Sequence, residues 1–157
     1  MTSDEQRTTN VHQTRVRSHQ TDLNGSMYHG AFFDVFDDAR IDVFRRLGYS
    51  YERAVAGGWQ LVIRRAECEY HLPATLDQVL DIAVKVESIR PATLTCRYEC
   101  SNAARLIAVG RVVYVFLNRR GRPMRFPADL RSLIEECAGI LAYGGKVEPM
   151  AGLEPAT

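Results

Sequence analysis

The chain has 157 residues, enough for one domain, and its hydrophobic (46%) and charged (25%) fractions are typical of a soluble globular protein. A formal net charge of +1 argues against nucleic acid as the main partner, because a protein that follows a phosphate backbone needs a strong basic excess. No run of about 18 apolar residues is present, so the sequence predicts no membrane span.

The beginning of the chain predicts a tail followed by a strand. Residues 1–10 are polar, which indicates a flexible tail without the apolar core of a signal peptide. Residues 11–20 are rich in Val, Thr and Arg and predict a strand. The four cysteines lack the spacing of a metal site, and the chain shows no export signal, so we expect reduced thiols, no bound metal and a cytoplasmic location.

Residues 21–30, with the sequence TDLNGSMYHG, predict a loop between this strand and a helix. The loop places a carboxylate, Asp22, at the end of the strand and His29 where the helix begins. A helix start offers unpaired backbone N–H groups and the positive end of the helix dipole, which suit a developing negative charge. Asp22 and the helix start are therefore candidates for chemistry on an acyl group.

The longest helical pattern covers residues 31–47. Apolar residues recur there at steps of three and four and form one stripe, made of Phe32, Phe36, Ala39, Val43 and Leu47. Gly48 follows as the predicted C′ residue, which ends the helix. A helix with one heavily apolar side predicts a sheet that wraps around it.

Strand patterns dominate the second half of the chain. A short helical turn at residues 50–55 precedes four strand patterns, at 59–72, 79–89, 92–101 and 105–117, and a short helix at 127–137 follows them. Consecutive strands joined by short turns predict an antiparallel sheet, here an α+β fold with about five curved strands around one helix. The edges of such a sheet favour pairing with a second copy, so we expect a homodimer. Residues 138–157 are expected to form a C-terminal tail after the domain at 11–137.

The loop and the helix together resemble the hotdog-fold acyl-CoA thioesterases. The resemblance rests on the Asp22-to-Gly30 segment, Phe33, the acidic-Ala-Arg run at 38–40 and Leu47-Gly48. The most similar branch contains 4-hydroxybenzoyl-CoA thioesterase and the thioesterase of the Tol–Pal envelope system. The resemblance covers about residues 11–137. It implies a hotdog fold, a homodimer or homotetramer, a coenzyme A thioester substrate and an active site at the interface between subunits.

The same resemblance implies roles for residues of the loop. Asp22 would act as nucleophile or as general base for water, the backbone N–H near His29 would polarise the thioester carbonyl, and the His29 side chain would assist. The chain departs from the usual family pattern at Leu23-Asn24 and Ser26-Met27, where many members carry small residues or a Gly-His-Val-Asn run. This departure keeps the catalytic pair and leaves the acyl specificity open.

Thioester hydrolysis needs few catalytic groups. The leaving thiol has a pKa of about 8.5, so it departs without a strong general acid. One well-placed donor to the oxyanion contributes on the order of 10²–10³ in rate. Gly30 lets an acyl chain approach the backbone closely. Tyr28 and Phe33 are candidates for the pocket wall. The alternatives are simple packing for Tyr28 and an equally good fit to the plain core for Phe33.

Several charged residues have competing interpretations. The basic segment 119–125 is either a solvated turn or, with Arg90, a clamp for the phosphates of coenzyme A, with Arg122 and Arg125 as candidates. Arg40 falls within the apolar arc of the helix, where a charge needs a partner, so we predict a salt bridge to Glu67 or Glu69. A helix carboxylate, Asp37 or Asp38, is the alternative to Asp22 as the catalytic group.

The sequence therefore predicts an acyl-CoA thioesterase that needs no cofactor, since coenzyme A enters as part of the substrate. An acyl group on acyl carrier protein is an alternative substrate. A module that binds acyl-CoA without hydrolysing it is the alternative outside enzymes. The hotdog dehydratases are disfavoured because their His-Phe-Pro-Gly run is absent from the sequence.

Overall fold

One long helix and five antiparallel strands form the framework of the protein. The computed structural model describes residues 10–137. Its elements in chain order are β1 (Val11–Arg15), a 3-10 turn (Ser18–Gln20), α1 (Ala31–Arg46), α2 (Tyr51–Ala56), β2 (Trp59–Tyr70), β3 (Val79–Ile89), β4 (Thr93–Asn102), β5 (Arg105–Asn118) and α3 (Ala128–Glu136). The proposed tails lie outside the described residues, apart from Asn10, whose side chain donates to the Val84 carbonyl at 3.2 Å.

The strands form a single sheet in the order β1-β3-β4-β5-β2, and every neighbouring pair is antiparallel. Strand β1 forms one edge, and the twelve-residue strand β2 forms the other. The predicted α+β fold with one long helix on an antiparallel sheet is confirmed, and so is the run of four long strands after the helix.

Helix α1 buries the face that carries the predicted stripe of apolar residues. Its buried residues recur at steps of three and four, whereas Asp34 and Asp38 on the opposite side are exposed. The buried set consists of Ala31, Phe32, Val35, Phe36, Ala39, Val43 and Phe44. The helix ends at Arg46, and Gly48 takes the left-handed conformation (φ 96°) expected of a residue that stops a helix.

A close contact between α1 and the sheet lies at Phe36 and Gly110. The Phe36 ring stacks on Tyr98 of β4, with 4.9 Å between ring centroids and 11° between planes. On β5 the same ring lies against Gly110, where any Cβ would overlap it. Gly110 therefore sets how closely the helix packs on the middle of the sheet.

Strand β1 is shorter than predicted, which changes the setting of Asp22. The strand ends at Arg15, and the 3-10 turn at Ser18–Gln20 follows. Local bonds favour this turn: the Arg17 N–H donates to Gln20 Oε1 at 2.9 Å, and Thr21 Oγ1 donates to the Ser18 carbonyl at 2.7 Å. The prediction that Asp22 ends a strand was wrong, because Asp22 lies in a turn after the 3-10 segment.

The predicted partner of Arg40 was also wrong. The nearest carboxylate is Asp37 on the same helix, with 3.9 Å between Arg40 Nη2 and Asp37 Oδ1. Glu67 pairs with Arg65 of its own strand, and Glu69 lies 3.7 Å from His71. The guanidinium of Arg40 lies over the rings of Tyr114 and Phe44 instead. Helical spacing placed Arg40 on the buried side, but it could not tell which side chains of the sheet lie opposite.

We predict that Gly110→Ala destabilises the protein by about 1–3 kcal/mol, the usual cost of overpacking a dense core. The measurement is the free energy of unfolding from urea titration. The same substitution in a Phe36→Leu background provides the control, because the smaller side chain leaves room for the added methyl group. Equal costs in both backgrounds would show that the contact between Gly110 and Phe36 does not limit the packing.

Candidate active site

The loop 21–30 is held in shape by its own hydrogen bonds and by one buried side chain. The Asp22 N–H donates to the Ser26 carbonyl at 2.8 Å, and a bridge between Thr21 and Met27 closes the loop. Gly25 has φ 77°, a conformation that glycine adopts without strain. The Met27 side chain is 5% exposed, so it anchors the loop in the core.

The Asp22 carboxylate is exposed, and one of its oxygens is fixed in position. Its Oδ1 accepts from the backbone N–H of Asn24 at 2.8 Å and from that of Ser26 at 3.3 Å. Within residues 10–137, no hydrogen bond reaches its Oδ2. The carboxylate therefore closes a turn, as aspartate commonly does, and also presents one open oxygen in a defined direction.

The start of α1 has backbone donors without acceptors. Helix α1 has Gly30 as its N-cap and no side-chain cap. Within the described part of the chain, no group accepts from the N–H of His29 or Gly30. Unpaired donors at the positive end of a helix dipole form a ready site for an anion. The structure thus brings Asp22 and the predicted oxyanion donors onto the same loop.

Tyr70 at the end of β2 holds this helix start. Its hydroxyl donates to the His29 carbonyl at 2.9 Å, and its ring packs edge-on against Phe32 with 5.3 Å between centroids. Burial raises the pKa of Tyr70 to about 12, so the hydroxyl stays a neutral donor. Sequence reasoning missed Tyr70, because only the tertiary fold brings the end of β2 to this loop.

The predicted pocket residues divide between surface and core. Tyr28 and His29 are exposed, and their rings lie 4.2 Å apart between centroids. A Cβ at Gly30 would lie 2.6 Å from Cε1 of Tyr28, so the tyrosine ring occupies the space in which an acyl chain was expected to approach the backbone. Phe33 is partly buried and packs against the core, with its ring edge-on to Phe36.

The predicted arginine clamp and the loop 21–30 lie at opposite ends of the sheet. Arg90 follows the end of β3, and Arg122 and Arg125 follow the end of β5. A hydrogen bond of 2.6 Å from the Phe126 N–H to the Pro91 carbonyl joins these segments. The loop 21–30 instead lies at the Tyr70 end of β2, roughly 35 Å away at about 3.3 Å per residue. Within one chain, these arginines and Asp22 cannot contact the same substrate.

A cavity of about 310 Å³ lies at the arginine end of the sheet. The C-terminal half of α1, the short helix α2 and the beginning of β2 surround it, with Trp59 and Arg40 among its lining residues. The sequence contained no signal for this cavity, because its walls come from three elements whose packing angles the apolar pattern does not specify. Its size is at the small end of the range for ligand pockets.

Within residues 10–137, no group of three or more His, Cys, Asp and Glu side chains is arranged to hold a metal ion. Among the described helices, none has the length and apolar character needed to cross a membrane.

Known proteins share this fold and sequence pattern. The sequence profile of the thioesterase-like superfamily matches residues 16–134. The chain belongs to this superfamily of thioester hydrolases. A putative esterase from Aquifex aeolicus is 30% identical over 88 residues, which are 56% of this chain and 69% of that protein.

Two further relatives extend the similarity. The acyl-CoA thioester hydrolase YbgC of Escherichia coli O6:H1 is 30% identical over 89 residues, which are 57% of this chain and 66%, just under two thirds, of that protein. The structure of a 1,4-dihydroxy-2-naphthoyl-CoA thioesterase from Synechocystis superposes with a TM-score of 0.74 at 19% identity, covering 80% of this chain and 95% of that one. The predicted hotdog fold and the thioesterase family are therefore confirmed.

We predict that Tyr70→Phe loosens the helix start, because the His29 carbonyl loses its donor. Such a bond contributes about 0.5–1.5 kcal/mol. Hydrogen exchange of the backbone amides at 28–31 should become faster, with little change in β4. Gln13→Ala is the control, because it removes an exposed side-chain hydrogen bond, to Asp81 Oδ1 at 3.0 Å, on the edge of the sheet opposite β2. Unchanged exchange at 28–31 would mean that Tyr70 does not hold this helix start.

Proposed function

We propose that this member of the thioesterase-like superfamily hydrolyses acyl-CoA thioesters at the loop 21–30. The observation that carries the proposal is a carboxylate with one fixed and one open oxygen, on the same loop as two unpaired N–H groups at a helix start. An anionic nucleophile or base and an oxyanion site are the two requirements of thioester hydrolysis.

Two routes use the same groups. In the first, Asp22 Oδ2 attacks the thioester carbonyl carbon, the C–S bond breaks, the thiolate of coenzyme A leaves, and water hydrolyses the resulting anhydride. In the second, Asp22 takes a proton from a water molecule that attacks the same carbon. In both routes the N–H groups of His29 and Gly30 stabilise the oxyanion. Coenzyme A takes part only as a portion of the substrate.

The His29 side chain has a supporting role in this proposal. Its ring is exposed beside Tyr28, and none of residues 10–137 forms a hydrogen bond with its ring nitrogens. A histidine in that position is able to protonate the leaving thiolate or orient the attacking water. Tyr28 would then form one wall for the substrate next to the imidazole.

We further propose that two chains pair along β2. In the described structure this twelve-residue edge strand has β5 on one side and no strand on the other, and it carries exposed apolar side chains such as Ile63 (50% exposed) and Val62. A long apolar edge of this kind is normally covered. A homotetramer would contain two such pairs.

Pairing along β2 would complete the active site. Two copies of a strand related by a two-fold axis run antiparallel, so the Trp59 end of one strand lies beside the Tyr70 end of the other. The basic end of each chain, with Arg90, Arg122 and Arg125, would then lie beside the loop 21–30 of its partner. The arginine clamp for the phosphates of coenzyme A would act between chains, which removes the conflict of distance within one chain.

We predict that Asp22→Asn lowers kcat/KM for acyl-CoA hydrolysis by at least about 10², the usual loss when a general base is removed. Asparagine keeps the oxygen that closes the turn, so the fold should be unchanged. The measurement is release of free thiol from a panel of acyl-CoAs. Asp38→Asn is the control, and it also tests the alternative helix carboxylate. A loss confined to Asp38→Asn, or tight binding without turnover by the unmodified protein, would overturn the proposal.

A complementation experiment tests the pairing. Asp22→Asn and the double variant Arg90→Ala/Arg125→Ala should each be impaired as purified homodimers. The heterodimer of the two, isolated with different affinity tags, should recover about half of the wild-type activity, because one of its two composite sites is intact. A heterodimer as inactive as its parents would show that each chain uses its own arginines. Size-exclusion chromatography with light scattering checks the oligomeric state.

A further inference from the structure

Among the described residues, those that line the cavity at the arginine end of the sheet are mainly apolar and include one buried charge. Its apolar lining residues include Ile41, Phe44, Val55, Trp59 and Leu61. The charge is that of Arg40, whose side chain is only 17% exposed. A charged group in such surroundings is costly unless it is hydrogen-bonded. Its partners therefore decide whether the arginine is a structural element or a binding group.

The hydrogen-bond donors of Arg40 have no acceptor among the described residues. Its Nε is buried and unpaired. The 3.9 Å to Asp37 Oδ1 exceeds hydrogen-bond length, and the other close neighbours are aromatic rings, with 4.9 Å from the guanidinium carbon to the centroid of Tyr114. The rings stabilise the positive charge but accept no conventional hydrogen bond. Unpaired donors in apolar surroundings are a substantial cost, which a ligand oxygen within reach of the Nη groups would reduce.

A chain of hydroxyl groups explains why Asp37 does not bind Arg40 closely. Tyr114 donates to Asp37 Oδ1 at 3.0 Å, and 2.6 Å separates the hydroxyl oxygens of Tyr98 and Tyr114. Burial raises the pKa of both phenols, so they remain neutral donors, and the carboxylate is directed towards Tyr114. Burial works against the charged form of Arg40, but its polar neighbours outweigh this effect and raise the pKa of Arg40 above its ordinary value. The cavity thus keeps a permanent cation with unused donors.

We propose that this cavity receives the far end of the acyl group and that Arg40 selects acyl groups carrying an acceptor oxygen there, such as a carboxylate or a phenolic hydroxyl. This inference rests on the proposed function and on the pairing along β2. The cavity lies at the Trp59 end of β2, so in the pair it would lie beside the loop 21–30 of the other chain. The thioester would react at one chain while the distal oxygen of its acyl group bonds to Arg40 of the other.

The size and walls of the cavity restrict the acyl group further. A volume of about 310 Å³ suits a compact aliphatic or aromatic acyl group better than a long fatty chain. The side chains of Phe44 and Trp59 offer apolar contact to its middle portion, and Arg40 is the permanent cation among the cavity's lining residues. Specificity would come from a directed hydrogen bond at the end of an otherwise apolar pocket, an arrangement that strongly rejects an analogue without the oxygen.

The test compares two matched pairs of substrates by their kcat/KM. Glutaryl-CoA is matched with 5-methylhexanoyl-CoA, in which two methyl groups replace the carboxylate oxygens. 4-Hydroxybenzoyl-CoA is matched with 4-methylbenzoyl-CoA. We expect the wild-type protein to prefer the oxygen-bearing member of at least one pair by about 10- to 100-fold. The pair that shows the preference tells whether the oxygen belongs to an aliphatic carboxylate or to an aromatic hydroxyl.

Arg40→Met should abolish that preference by lowering kcat/KM for the oxygen-bearing substrate alone. Arg45→Met is the matched control, because Arg45 lies on the same helix with a side chain that is 62% exposed. A wild-type protein without preference in either pair would overturn the inference, and so would an equal loss for both members of a pair in Arg40→Met. If Arg40→Met does not fold, Arg40→Gln serves in its place, because it also removes the positive charge. A wild-type protein without preference in either pair still overturns the inference.

A binding measurement separates failure of this inference from failure of the proposed reaction. The chain has one tryptophan, Trp59, which lines the cavity, so its fluorescence reports on binding there. We expect free glutarate or 4-hydroxybenzoate to change Trp59 fluorescence in the wild-type protein more than in Arg40→Met, whether or not thioesters are hydrolysed. No response to either acid would contradict the role of Arg40. A response without Asp22-dependent hydrolysis would contradict only the proposed reaction.

Discussion

The packing of the Phe36 ring between Tyr98 and Gly110 is the contact on which the rest of the structure depends. It sets the depth of α1 on the sheet, and the position of α1 determines where both of its ends lie. The N-terminal end carries the unpaired donors of the candidate active site, and the C-terminal half forms a wall of the cavity. A glycine on a central strand thus controls the spacing of the candidate active site and the cavity, neither of which it contacts.

Elements with a strong periodic pattern were predictable from the sequence. The spacing of apolar residues predicted the extent of α1 and the strand at 79–89. It also predicted that Asp34 and Asp38 are exposed. The end of β1 did not, because side-chain bonds around Gln20 compete with strand pairing over only a few residues. The apolar pattern thus predicts the presence and type of an element well, but it predicts the residue at which the element ends poorly.

Contacts between distant parts of the chain were not predictable. The sequence shows that Arg40 is on the buried side of α1, but the identity of its neighbours depends on the order of strands in the sheet. Tyr70 likewise reaches His29 only because the end of β2 returns to the loop. The distance between Arg90 and Asp22 along the sheet has the same origin, since the apolar pattern does not show at which end of the sheet the loop 21–30 packs.

The turn at Asp22 has a consequence for how this loop tolerates change. The carboxylate that is proposed to react also closes the turn through the N–H groups of Asn24 and Ser26. A glutamate would carry its charge one methylene further out and would not fit the same ring of hydrogen bonds, whereas an asparagine would fit without the charge. The hydrogen bonds of the turn therefore favour a side chain of the length of aspartate or asparagine. Of these two, only aspartate carries the charge that the proposed reaction needs.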